Sequence, residues 1–119
     1  MRFKTAGIRT EQRGDVLHIS VLGEIDHHSA KDLREQIDGE LFRHRPRTLV
    51  LSLSDVGFMD SSGLGLILGR LALARGMGCR LHLCDMTPQI LKILALAGVS
   101  RLEGITLERE GKEKEREKR

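Results

Sequence analysis

The sequence predicts one small α/β domain: a mixed, mostly parallel sheet of four to five strands with three or more helices packed against it. Three observations carry that prediction. Short apolar runs alternate with segments whose apolar residues recur at spacings of three and four, the strand and helix signatures in turn. The joints between them are short and rich in Gly, Pro, Asp and Ser, which implies right-handed crossovers and a largely parallel sheet after an initial hairpin. The chain has 119 residues, 39% of them hydrophobic, enough for one core. Aromatics are 3%, with no Trp or Tyr, so that core must be aliphatic.

Residues 3–10 read as a weak first strand with Phe3 and Ile8 as its apolar content. Gln12-Arg13-Gly14-Asp15 is a turn signal, and residues 16–22 form a clear second strand. Gly23-Glu24-Ile25-Asp26 leaves it, and either Asp26 or Ser29 can cap a helix over roughly 28–42. Ala30, Leu33, Ile37 and Leu41 line one face of that helix, while Lys31, Asp32, Arg34, Glu35 and Asp38 fill the other. Pro46 stops it, and residues 48–53 form a buried strand. The next helix spans 61–76, with Leu64, Ile67, Leu68 and Leu71 directed at the core and Gly76 or Gly78 at its end. Residues 79–84 form a strand. Thr87 caps the following helix and Pro88 opens it, its face being Ile90, Leu91 and Leu94. Gly98 ends it, and a short last strand reaches Leu107. The domain is therefore expected over residues 1–107. Residues 108–119 contain no apolar side chain and are expected to be a disordered, charged tail.

Composition removes several function classes. Twenty basic and 17 acidic residues leave a net charge of +3, but the signs are interspersed, without the basic stripe and stacking aromatics of a nucleic-acid reader. Arg43-His44-Arg45-Pro46-Arg47 reads as a solvated loop. No apolar run approaches a membrane span, and no secretory leader is visible, so a cytoplasmic location is expected. Cys79 and Cys84 lie on opposite faces of their strand, cannot bridge, and read as small buried hydrophobes in a reducing compartment. His27 and His28 point in different directions, and no second ligand cluster accompanies them, so no metal is expected. No serine hydrolase elbow is present, and no cofactor is called for.

The stretch from Phe58 to Arg70 carries the function. Asp60, Ser61 and Ser62 all suit a helix N-cap, placing a hydroxyl pair where free N–H groups and a partial positive charge favour an anion. Spacing alone leaves simple capping as a sufficient account, and does not choose between the serines. However, Met59-Asp60-Ser61-Ser62-Gly63-Leu64-Gly65 and the following Ile67-Leu68-Gly69-Arg70 resemble the phosphorylation-site signature of anti-sigma factor antagonists of the sporulation type, which are small STAS domains. Gly23-Glu24-Ile25-Asp26-His27-His28-Ser29-Ala30 resembles a second block of that family. The resemblance covers residues 8 to 107 and implies a STAS-like fold.

It also implies a mechanism. In that family the unphosphorylated protein binds an anti-sigma factor that is also a serine kinase, and so frees the sigma factor; a serine phosphatase reverses the kinase's mark. Carried over by position, the phosphoacceptor is Ser61. Asp26, Asp60, Ser62, Gly63, Gly65 and Arg70 become candidate partner contacts, and Asp26 and Asp60 are expected near each other. The Asp26–Ala30 block points to the sporulation sigma-F branch, with a general-stress antagonist as the nearest alternative. A rival of another class is a nucleotide-binding domain using Gly63, Gly65 and Gly69, with Asp85 about twenty residues on. Against it, Gly63 falls inside a helix rather than in the turn leaving a strand, and no phosphate-cradling Lys is present. Gly65 and Gly69 share one helical face, and the strip is read as facing outward, towards a docking partner.

Overall fold

The computed structural model describes residues 6–109. In chain order they form β1 (Gly7–Arg13), β2 (Val16–Ile25), α1 (Ala30–His44), β3 (Thr48–Met59), α2 (Ser61–Gly76), β4 (Arg80–Met86), α3 (Pro88–Leu96) and β5 (Ile105–Arg109), with a 3-10 turn at Val99–Arg101. The sheet order is β1-β2-β3-β4-β5. β1 pairs antiparallel with β2, and every other pairing is parallel. The expected fold class is thus the one observed.

Each crossover steps one strand in the same direction. Crossovers of one hand then place α1, α2 and α3 on a single face of the sheet. Burial follows that geometry. Leu17, Ile19 and Val21 of β2, Leu49, Leu51 and Leu53 of β3, and Leu81 and Leu83 of β4 are buried in one cluster. Leu33, Ile37 and Leu41 of α1, Leu66, Ile67, Leu71 and Ala74 of α2, and Ile90 and Leu94 of α3 complete it. The intervening strand residues, among them His18, Ser20, Ser52 and His82, line an open, polar hollow of about 950 Å³ on the other face.

Several boundaries differ from expectation, each for a local reason. β3 continues six residues past Leu53. Ser54, Asp55 and Gly57 look like turn residues, but Val56 and Met59 still reach the core, and register shifts against β2 absorb the misfit, with Leu22 opposite Asp55 and Glu24 opposite Phe58. β1 runs three residues further than expected, to Arg13, so that Arg13 faces Val16 and the hairpin closes over Gly14 and Asp15. Gly14 supplies the left-handed φ of 62° that a two-residue turn needs. β5 extends through Glu108, which is buried and paired with His82. That residue and Arg109 therefore belong to the sheet and not to a tail. Phe3 and residues 110–119 lie outside the described residues.

Cys79 is buried in the core cluster, as expected. Cys84 is not a core residue. It is half-buried on the open sheet face, and its Sγ lies 3.5 Å from the Asp85 carboxylate. Burial, then the negative charge of Asp85, pushes this thiol up to about 12, so it is held protonated and a poor nucleophile.

Candidate functional site

The parallel pairing of β2 and β3 persists to their last residues, where Ile25 faces Met59. The Asp60 amide then donates to the Ile25 carbonyl at 3.1 Å. The loops that begin α1 and α2 therefore leave the sheet side by side, which brings the segments starting at Asp26 and Asp60 to the same end of the domain.

Each aspartate organises its own loop. Asp60 is the N-cap of α2, its Oδ1 accepting from the Ser62 amide at 2.7 Å. Asp26 accepts from the amides of His28 and Ser29 at 2.9 and 3.0 Å. Ser29 occupies the N-cap position of α1 without capping it by its side chain; its hydroxyl donates instead to the Glu24 carbonyl at 2.7 Å. Desolvation, the largest influence on Asp26, raises its pKa, but the Ser29 and His28 amides, the His28 charge and the Ser29 hydroxyl together hold it below 3.8. A depressed carboxylate pKa adds stability above the unfolded value and loses it as pH falls through the lower folded value. Asp26→Asn is accordingly expected to flatten the acid side of the stability profile below pH ~4, read from urea midpoints across pH.

Ser61 is the first residue of α2 and is exposed. Its hydroxyl makes no hydrogen bond among the described residues. Ser62 is half-buried and faces the groove between α1 and α2. Phe58, two residues before Asp60, is 44% exposed, an uncovered apolar side chain at this end of the sheet that the sequence pattern did not single out.

Two of the expected contact residues are not on the surface. Gly63 is buried beneath the first turn of α2. A Cβ there would lie 2.1 Å from Met59 Cγ, 2.6 Å from its Sδ and 3.2 Å from Ile25 Cγ2. The glycine is needed for packing, which removes it from the partner-contact set and from any phosphate-cradling loop. Met59 is itself buried and has little room to move. Gly63→Ala should cost about 2 kcal/mol by overpacking, measurable by urea denaturation. At Gly65 and Gly69 a Cβ would meet nothing within 4 Å. They form the outward strip expected of them, and alanine there should be neutral or stabilising by up to about 1 kcal/mol.

Arg70 is the second: it is not exposed on the outer surface and can be reached only from the groove between α1 and α2. It is buried, and its Nε lies 2.8 Å from Asp38 Oδ1. Burial lowers its pKa, the charge of Asp38 opposes that, and the nearby Arg34 adds to the lowering; the guanidinium nevertheless stays charged. The helical pattern puts Asp38 on the solvent face of α1, but it is half-buried against α2. One signal pointed there: an arginine in the apolar run from Leu64 to Leu73 needs a counter-ion, and α1 is the adjacent helix. The expected divergence of His27 and His28 also fails, since their ring centroids are 3.9 Å apart. No group of three or more potential metal ligands exists among the described residues. No helix among them is long and apolar enough to cross a membrane.

Comparison with known proteins agrees with this architecture. The STAS domain family matches residues 7–111. The anti-sigma F factor antagonist of Paenibacillus polymyxa is 38% identical over 95 residues, covering 80% of this chain and 81% of that protein. The anti-sigma-B factor antagonist of Bacillus subtilis (strain 168) is 27% identical over 104 residues, 87% and 94% of the two chains. Among solved structures, the anti-sigma factor antagonist SpoIIAA in its unphosphorylated form aligns with a TM-score of 0.62 at 28% identity, over 76% of this chain and 83% of that one. SpoIIAA in its phosphorylated form aligns with a TM-score of 0.66 at 26% identity, over 92% and 98%. By the family match over residues 7–111 and the similarity to these relatives, the chain belongs to the STAS domain family.

Proposed function

We propose that this domain is an anti-sigma factor antagonist, a regulatory switch rather than an enzyme. In this reading the unmodified chain binds an anti-sigma factor that is also a serine kinase, releasing a sigma factor. Phosphorylation of Ser61 ends the binding, and a serine phosphatase restores it. The anti-sigma F relative, the more similar of the two compared, supports the sigma-F branch; sporulation-specific transcription, in the cytoplasm, is the process we propose on the resemblance to that branch.

One observation supports the reading above the others: the Ser61 hydroxyl is exposed and uncommitted at the mouth of α2. Asp60 already caps the helix through Ser62, so Ser61 is not required for that purpose. A kinase can reach the oxygen. A phosphate placed there adds roughly −1.5 to −2 charges beside the two aspartate loops, with little need for the fold to change.

The test is incubation with an anti-sigma factor kinase and ATP, with the modified residue mapped by mass spectrometry. One phosphate on Ser61 is expected, and none in Ser61→Ala. Modification only at Ser62 would contradict the assignment. Because an anti-sigma-B antagonist is also similar, the general-stress reading is separated by pairing the chain with anti-sigma factors of both branches: tighter binding to the F type is expected. Stoichiometric nucleotide binding by the chain alone would favour the nucleotide-binding rival.

A further inference from the structure

The groove between α1 and α2 is a built feature, about 470 Å³ in volume. Its floor is open because Gly65 and Gly69 carry no side chain and nothing else fills the space. Its walls are cationic. Lys31 and Arg34 of α1 are exposed at its rim. Arg70 forms part of the wall from α2, with a side chain only 7% exposed.

Arg70 is the decisive residue. Asp38 Oδ1 lies 2.8 Å from its Nε, a charge contact without hydrogen-bond geometry. A guanidinium has five N–H donors, and no hydrogen bond to its terminal nitrogens forms among the described residues. Arg34 lies close enough to disfavour the charge on Arg70. Two like charges held together by the fold, with one half-buried carboxylate between helices, leave the groove with unbalanced positive charge. That arrangement costs stability in the free chain and is relieved by an incoming anion.

We propose that this groove receives an acidic side chain, Asp or Glu, from the docking partner, held by Arg34 and the terminal nitrogens of Arg70. The proposal rests on the reading of the domain as a partner-binding switch. It gives the docking face two signs: acidic at the Asp26 and Asp60 loops, basic along the groove. A partner complementary to both would be fixed in orientation. A carboxylate is favoured over a bare phosphate because the glycine floor leaves length for a side chain and its backbone to lie along the groove. Bidentate pairing of a guanidinium with a carboxylate suits such a site.

Two measurements test it separately from the switch itself. First, the 15N-labelled chain is titrated with an N-acetylated tetraglutamate peptide, with tetralysine and inorganic phosphate as comparisons. Saturable shifts are expected at the amides of Arg34, Gly65 and Gly69 and at the Arg70 Nε–H, with tetraglutamate only, and lost in Arg34→Glu. No shifts, equal shifts with tetralysine, or equal shifts with phosphate would overturn the proposal, the last in favour of a small-anion site. Second, an anti-sigma F factor is titrated with the chain and its variants. Arg34→Glu should weaken binding at least tenfold, while Arg9→Glu, on the opposite face of the sheet, should not. Unchanged binding by Arg34→Glu overturns the groove proposal even if the switch stands. Failure of the unmodified chain to bind overturns the switch, and the peptide titration then decides the groove alone.

Discussion

Ser61→Asp is expected to bind an anti-sigma factor kinase at least ~100-fold more weakly than the unmodified chain, with its fold intact. The magnitude follows from like-charge contact. A carboxylate at position 61 joins the neighbouring Asp60 cap and the Asp26 loop, and must lose its water when a partner closes over it. Such juxtaposition costs several kcal/mol, and each 1.4 kcal/mol is about tenfold in affinity. The fold should tolerate the change, because Ser61 is exposed and in the first turn of α2, where an acidic residue favours a helix by about 0.3–1 kcal/mol. Calorimetric titration paired with a thermal melt separates the two effects. Lost binding with an unchanged or raised Tm is the expected result. Unchanged binding would remove the electrostatic account, and a lowered Tm would show that Ser61 has a structural task.

The second large effect is on stability. Asp38→Ala should lose about 3 kcal/mol, because it strands the Arg70 guanidinium in the interior. Breaking a buried pair typically costs about 3–5 kcal/mol. The lower end applies because the Asp38 side chain is 24% exposed, which lets solvent screen the pair. Replacing both partners, Asp38→Leu with Arg70→Met, should recover most of the loss, since well-packed apolar residues often substitute for such a pair at no cost. Urea denaturation of the two single variants and the double variant gives the cycle. If Asp38→Ala costs less than about 1 kcal/mol, Arg70 is being satisfied by something other than Asp38.

The contrast between these residues also shows what the sequence could and could not convey. α1 was legible because it is amphipathic: Leu33, Ile37 and Leu41 are its buried residues, as their spacing requires. α2 was legible in its limits and not in its orientation. It is apolar nearly all round, so periodicity permits more than one inward face. Leu66 is buried, while Leu64 and Leu68 are only partly so. That rotation carries Arg70 inward and leaves Gly65 and Gly69 on the groove. The Arg70–Asp38 pair joins residues 32 positions apart in the chain, on different helices, a contact that no local pattern encodes. The extension of β3 was hidden for a different reason: its register shifts break the alternation by which a strand is recognised. A hydroxyl at the start of α2, by contrast, was legible from position and residue type, whereas the choice of Ser61 over Ser62 rests on the resemblance to the family signature.

The most direct measurement compares one anti-sigma factor kinase against three forms of this chain: unmodified, carrying phosphoserine at 61, and carrying phosphoserine at 62. Tight binding by the unmodified form and a drop of at least ~100-fold on modification of Ser61 is the expected result. Equal affinity for the unmodified and Ser61-phosphorylated forms would contradict it.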